Sequence, residues 1–367
     1  MIASSKLRAF MSDVRPRFTP SILETRWPKL GLPRVPLIAG PTPLEHHEAL
    51  GKAAGGELWV KRDDLTNTLY GGNKVRKLEH LLGEAKAQGA NTLITTGAAG
   101  SHHVLATTIF GKKHGFDVHA VLVPQPSSEH VTLDLRAMIA QGAELHPVKI
   151  FSAVPAAMAA LSASLRLRGR RPYMIGPGGS EGAGLLGYVE GGLELAQQML
   201  DTRLPEPDAI VVPLGSGGTL AGLAVGLAAA GVMTKIYAVR VTPKVIISRA
   251  VLSAQIRSVI GRLRTADDRF PRVLAQATDL CVIDEDELGD GYGLPTPSGR
   301  DAMRLAREHG LTLDATYTAK TFAAVLRMMR TTDMKRVIYI HTLSSAPMEP
   351  LLVGASTIPH RLDMLLR

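Results

Sequence analysis

The feature that most constrains this chain is a repeating alternation of short apolar runs with segments of helical periodicity, beginning near Glu57. Glu57 to Lys61 reads as a strand. A helix follows from Val75, with Val75, Leu78, Leu81, Leu82 and Ala85 on one face and Gly89 near its end. Thr92 to Thr96 and Val118 to Val123 read as strands on either side of a helix over Val104 to His114. Asp208 to Leu214, Ile236 to Val241 and Val337 to His341 read as buried strands. Repeated β-then-α units imply parallel sheets covered by helices. At 367 residues the chain is long enough for about two domains, and two sheets suit it better than one very wide sheet. The Pro/Gly-rich stretch 175–180 is the expected crossing between lobes.

Composition narrows the class. Apolar residues make up 45% and charged residues 20%, which argues against wholesale disorder. A low aromatic share of 4% suits an Ala/Gly-rich α/β enzyme better than an all-β sandwich. The formal charge of +9 raises the question of a nucleic-acid partner, but the basic residues are spread out. The densest group, Arg166, Arg168, Arg170 and Arg171, reads as a solvated helix end, so no nucleic acid is expected. Cys281 is the only cysteine, which excludes an intramolecular disulfide or a cysteine-based metal cluster. It lies in the apolar run 280–283 and is expected to be buried. No metal ligands are assigned. The N-terminus lacks the apolar stretch of a secretory signal; being basic and acid-poor, it leaves an organelle transit peptide open. The longest apolar run, Leu220 to Met233, spans 14 residues, too few for a bilayer. The expectation is a soluble, cytoplasmic protein with no membrane contact.

Two segments carry chemistry. The apolar strand 210–214 runs straight into Gly215-Ser216-Gly217-Gly218-Thr219, and a helix begins near Leu220. Amides of a Gly-rich loop at a helix N-terminus can converge on one anion, aided by the helix dipole. A dinucleotide fingerprint would need a further glycine where Leu220 stands and an acidic residue about 20 positions on; the next strand ends Val239-Arg240-Val241 instead. A Walker A loop would need Gly-Lys-Ser/Thr. What remains is a monophosphate cup, or a tight turn without a ligand. The second segment is Gly71-Gly72-Asn73-Lys74-Val75-Arg76-Lys77-Leu78-Glu79. Schiff-base chemistry needs a neutral amine, whereas a free lysine has a pKa of about 10.4. A helix N-terminus and the nearby Arg76 and Lys77 would disfavour the ammonium form of Lys74.

Together these segments resemble the pyridoxal 5′-phosphate (PLP) enzymes of fold type II, and more closely the family of D-cysteine desulfhydrase and 1-aminocyclopropane-1-carboxylate (ACC) deaminase. The resemblance rests on Lys61-Arg62-Asp63-Asp64-Leu65, on 71–74 and 76–79, and on Gly97 to His103 and Gly178-Gly179-Ser180. It continues through 215–219, Gly291-Tyr292-Gly293, Asp314 to Lys320 and His341-Thr342, so it spans roughly Pro41 to Pro347. It implies a two-domain α/β fold like that of the tryptophan synthase β chain, with parallel-rich twisted sheets and helices on both faces. Residues 1–76 and 180–367 would form a large PLP-binding domain, with 1–36 as an N-terminal extension, and 77–179 a small domain. Lys74 would form the Schiff base with PLP. Ser101 opens the loop that meets the substrate carboxylate, with His102 and His103 beside it. Gly215, Ser216, Gly217, Gly218 and Thr219 would hold the phosphate, helped by Lys77. Tyr292 and Tyr317 would flank cofactor and substrate, with Tyr317 available for proton transfer or stacking.

Thr318 and Thr342 are expected near the pyridine nitrogen. ACC deaminases look to have a glutamate where this chain has Thr318, and a hydroxyl there gives a weaker electron sink. The resemblance therefore implies β-elimination by a PLP-dependent lyase, turning a small amino acid into a 2-oxo acid and ammonia. β-Replacement, ACC ring opening and a non-catalytic PLP-binding role are the alternatives, and a homodimer is the family expectation. The chain departs from the family pattern at Gly100-Ser101-His102-His103, where His102 stands in place of an asparagine. It departs again at Leu343-Ser344-Ser345-Ala346-Pro347, where side chains in place of a usual pair of glycines are expected to narrow the pocket or change the polarity around the ring. Residues 1–36 match nothing in the family and are expected to form a dimer arm or a lid.

Overall fold

The computed structural model describes residues 21–366. Its strands are β1 (Leu44–His46), β2 (Glu57–Lys61), β3 (Thr92–Ala98), β4 (Asp117–Val123), β5 (Ala143–Pro147), β6 (Pro172–Met174), β7 (Ala209–Leu214), β8 (Ile236–Arg240), β9 (Cys281–Asp284) and β10 (Arg336–Ile340). They form two sheets, one ordered β1-β2-β10-β7-β8-β9 and the other β5-β4-β3-β6. Every pairing is parallel except β1 with β2. All the strands expected from the apolar runs are present. The short strands β1 and β6 escape sequence reading because three residues show no period. The run around Cys281, expected only to be buried, is edge strand β9.

The longer helices are α1 (Asn73–Ala87), α2 (His102–Lys113), α3 (Glu129–Ala140), α4 (Val154–Leu167), α5 (Leu186–Asp201), α6 (Gly218–Ala229), α7 (Arg249–Ala266), α8 (Pro297–Glu308) and α9 (Thr318–Thr331). Strand residues alternate between faces, and the core follows that alternation. Ile210, Val212, Ile338 and Ile340 join the main core under α5 and α6, which continues to Leu93, Ala120 and Leu122 of the second sheet. Val211, Val337 and Tyr339 face the other way, onto Ala302, Phe322 and Val325 of α8 and α9. Ile94 and Val121 meet Val154 and Met158 of α4 on the far face of the second sheet. Both sheets are thus covered on both faces. Helices α5 and α6 cross at their glycines: a Cβ on Gly222 would stand 2.5 Å from the Leu185 carbonyl oxygen, and one on Gly226 2.2 Å from that of Val189. That close crossing fixes where α6 begins.

Helix α1 is anchored by a buried charge network. Arg76 donates to Asp63 at 2.7 and 2.9 Å and to Glu194 at 2.9 Å. Tyr188 donates to Asp63 at 2.7 Å, and Lys61 pairs with Glu194. Burial alone would raise the Asp63 carboxyl, but the neighbouring Arg76 guanidinium outweighs it and holds the pKa at about 2. Residues 21–36 are no free arm or lid. Leu23, Leu30, Leu32 and Val35 are buried in the main core, and Glu79 of α1 binds Arg34 and the backbone amides of Leu37 and Ile38. Residues 1–20 of the expected extension lie outside the described residues.

Candidate active site

The first turn of α1 is pinned to the ends of β2 and β10. The Gly72 amide donates to the Asp63 carbonyl at 3.0 Å, and the Asn73 amide to that of Thr342 at 3.2 Å. Gly72 has φ +93°, and a Cβ there would sit 2.7 Å from the Thr342 oxygen, so only glycine brings the helix start this close. Lys74 and Lys77, one turn apart, reach a cavity of about 270 Å³ between the sheets. Lys74 Nζ donates to Asn73 Oδ1 at 3.1 Å, and Asn73 Nδ2 donates to Thr219 Oγ1 at 3.1 Å. The lysine is thereby tied through one residue to the glycine-rich loop. Burial lowers the Lys74 pKa to about 8, against an opposing pull from Asp314. Lys77 is pushed well below its ordinary range by burial and then by Lys74. Among the described residues its amine donates to the Gly178 carbonyl at 3.1 Å and to Ser180 Oγ at 2.9 Å.

The loop 215–219 joins β7 to α6. Gly217 is left-handed at φ +87° and gives α6 no side-chain cap, so the first amides of the helix stay available to an anion. The loop is braced from behind. Gln255 Nε2 donates to the carbonyls of Ser180 and Ser216, both at 2.9 Å. Thr242 Oγ1 donates to the Gly215 carbonyl at 2.9 Å, and the Ser180 and Ser216 hydroxyls lie 2.6 Å apart.

The opposite wall carries two tyrosines. Tyr292 and Tyr317 share a hydrogen bond of 2.9 Å with their rings edge to face. Burial pushes Tyr292 up to about 12 and Tyr317 well above its ordinary value, so both hydroxyls keep their protons at neutral pH. Asp314 accepts backbone N–H groups from Thr316 and Tyr317 at 2.9 and 2.7 Å, and from Thr318 at 3.0 Å. Burial would raise it, but His102, the Thr318 hydroxyl and these amides outweigh burial and hold it below the usual carboxylate range. Lys320 fixes the Tyr292 loop by donating to the carbonyls of Leu288 and Gly291 at 2.7 and 2.9 Å.

The second sheet supplies the remaining wall from the N-terminus of α2. Ser101 caps that helix, its Oγ accepting the Val104 amide at 3.4 Å. His102 Nδ1 meets Tyr70 Oη at 2.8 Å, and burial, then His130, lowers its pKa. His103 Nε2 bonds Thr95 Oγ1 at 3.0 Å.

Lys74, Lys77, Ser101, His102, His103, all of 215–219, Tyr292, Tyr317 and Thr342 line this one cavity. Thr318 does not line it. Its hydroxyl is turned under the helix start to donate to Asp314 Oδ1 at 2.6 Å, and Asp314 lines the cavity instead. The serines near the C-terminus also differ from expectation. Ser344 Oγ accepts the Gly71 amide at 2.8 Å and Ser345 donates to Asp64, so these hydroxyls tie down loops while Leu343 takes the place on the wall. Sequence reading quoted Asn73 and Asp314 within its motifs without giving either a role, and missed Thr242 and Gln255. Asp314 carries a usable signal, an aspartate just before a helix whose side chain can cap the following amides.

The cavity fits PLP on its own chemistry. Two buried amines and an uncapped helix N-terminus converge with the hydroxyls of Ser216 and Thr219, and the partners of the amines are an amide oxygen, a carbonyl and a hydroxyl. Such a set of donors suits an anion. Two parallel-rich sheets with a buried lysine beside a glycine-rich loop at a helix N-terminus are the arrangement of the PLP-dependent enzymes of fold type II. Comparison with known proteins agrees: residues 35–342 match the model for the pyridoxal-phosphate dependent enzyme family, and the chain belongs to that family. It is 34% identical to D-cysteine desulfhydrases of Salmonella paratyphi A and Salmonella newport over 318 residues, 84% of this chain and 93% of those proteins. The structure of an ACC deaminase homologue superposes with TM-score 0.75 and 29% identity, covering 92% of this chain and 99% of that one. The serine racemase of Dictyostelium discoideum shares the fold alone, at TM-score 0.56 and 17% identity over 84% of this chain and 94% of its own.

Proposed function

We propose that this chain catalyses β-elimination on a small amino acid bearing a β-leaving group, with D-cysteine the first substrate to test, releasing a 2-oxo acid and ammonia. The observation that carries the reading is the link Lys74–Asn73–Thr219, which seats a lysine of lowered pKa beside the phosphate cup. The likeness to D-cysteine desulfhydrases supports the choice of substrate. PLP, when bound, supplies an electron sink that makes the α-proton of an attached amino acid acidic. Lys74 would hold the carbonyl carbon of the cofactor, and the 215–219 amides with Lys77 its phosphate. Lys74 Nζ, its pKa lowered to about 8 by burial, would be the group placed to take up the α-proton. Ser101 and the α2 amides meet the substrate carboxylate. The Tyr292–Tyr317 pair, protonated at neutral pH, can give a proton to a departing β-substituent. Thr342 contributes a hydroxyl to the wall without a charge, and position 318 offers no glutamate.

Purified protein supplied with D-cysteine, L-cysteine, β-chloro-D-alanine and ACC separates the readings. Sulfide and pyruvate from D-cysteine are expected; 2-oxobutanoate from ACC with no pyruvate from the others would overturn the proposal. Added thiols that trap a new amino acid would point to β-replacement. The reading also includes a homodimer and a cytoplasmic location, supported by the family resemblance; light scattering of the purified chain tests the dimer. Among the described residues no helix is long and apolar enough to cross a membrane.

A further inference from the structure

Beside the cavity, three side chains form a group that the reaction above does not use. His130 and Asp134 lie one turn apart on the same face of α3, and His102 approaches from the N-terminus of α2. His130 Nε2 stands 3.1 Å from His102 Nε2 and 3.4 Å from Asp134 Oδ2. His102 Nδ1 lies 3.7 Å from that same oxygen, and one donor atom from each residue falls within a span of 4.8 Å. Asp134 is fully buried, yet neither of its oxygens has a hydrogen-bond partner. A buried carboxylate left in that state is costly, and a coordinated cation relieves it.

We propose that His102, His130 and Asp134 form a binding site for a divalent transition-metal ion with the preferences of zinc. Two imidazoles and one carboxylate are the ligand set such an ion takes, and a tetrahedral ion with ligands at about 2.0–2.1 Å has donor atoms about 3.3–3.4 Å apart. The two separations from His130 Nε2, 3.1 Å to His102 Nε2 and 3.4 Å to Asp134 Oδ2, lie close to that edge. Tyr70 completes the arrangement: with His102 Nε2 on the metal, Nδ1–H donates to Tyr70 Oη at 2.8 Å, the outer-shell bond that fixes a ligating histidine. The charge of Asp314 acts on both His102 and Asp134 and favours a cation, while that of Lys74 acts on His102 and opposes it. His130 is 42% exposed, which gives the ion an entry. At least one coordination position remains for water or for an anionic group of a molecule in the cavity. The sequence alone assigned no metal to this chain, because the three residues are dispersed over 33 positions and only α2 and α3 bring them together.

The test is metal binding by the holoenzyme, read without turnover, so that its failure is distinct from failure of the β-elimination proposal. His119, Glu144 and His146 form another group on adjacent strands, so the measurement is made in a His146→Ala background. After chelation and dialysis, equilibrium with Zn²⁺ in excess Mg²⁺ is expected to leave one zinc per chain by elemental analysis. Co²⁺ in its place is expected to show tetrahedral d–d absorption. Half-exposed His130→Ala, the variant least liable to misfold, should weaken binding at least about a hundredfold, as should Asp134→Asn, and Tyr70→Phe about tenfold. No retained ion, or zinc content and affinity unchanged in His130→Ala, overturns the proposal.

Discussion

The two sheets bring different materials to the same cavity. The six-stranded sheet contributes the amides of 215–219, the Thr342 hydroxyl, the Tyr292–Tyr317 pair, and lysines on a helix whose other side is locked to Asp63 and Glu194. The four-stranded sheet contributes side chains from α2, from the ends of its strands and from the loops after them, namely Ser101, His102, Val123 and half-exposed Phe151. A grip on a phosphate is well made of backbone amides, which of all substitutions only proline removes. Discrimination between substrates needs side chains that can differ. The expectation is that losses on the first wall abolish or unseat the cofactor, and changes on the second re-aim the chemistry.

The sharpest way to break this comparison is at Lys74. Lys74→Ala should lose at least about a thousandfold in turnover together with the visible absorbance of the lysine–cofactor bond; normal turnover in that variant would refute its role. Next in size, Asp63→Ala strands Arg76 in a buried network and should lower stability by about 3–5 kcal/mol, measurable by urea unfolding. An unchanged midpoint would mean that the network does not anchor α1. Gly217→Ala forces a Cβ into a left-handed residue, 2.6 Å from Gln255 Oε1 and 2.7 Å from Ile247 Cδ1. A strain of about 1–3 kcal/mol should loosen PLP by roughly 5–150-fold in equilibrium dialysis. On the other wall, His102→Asn should shift kcat/KM between substrates by about tenfold while PLP affinity stays within about twofold. Loss of PLP there would erase the distinction between the walls. Smallest is a pH effect. Because the Lys74 pKa is lowered to about 8, its reactive neutral form grows as pH rises toward 8 and levels above. Uptake of PLP by the apo-protein, followed by absorbance, should rise about tenfold per pH unit well below 8 and flatten beyond it; a rise continuing to pH 10 would contradict the lowered value.

The sequence already displayed one stretch of the cavity wall, since its strand, glycine-rich loop and helix are contiguous and their pattern is local. The place of Lys74 was readable too, because a double glycine before an amphipathic helix marks a helix start. The rest of the wall was less legible. Thr318 was placed near the pyridine nitrogen by likeness, but its hydroxyl is drawn to Asp314 four residues earlier, a pull that a motif does not encode. Ser344 and Ser345 looked like a constriction because glycine-to-serine adds bulk; their partners, Gly71 and Asp64, lie some 280 residues away in sequence. The burial of 21–36 was likewise hidden, since Glu79 recruits it from across the fold.

Helix α1 presents Lys74 and Lys77 to the cavity, while Arg76 and Glu79 hold the charge network and the incoming N-terminal segment. Cavity-facing and architectural positions therefore alternate residue by residue along a single helix. A substitution that serves one duty is expected to disturb the other, which would steer changes of substrate away from this helix and toward the opposite wall of the cavity.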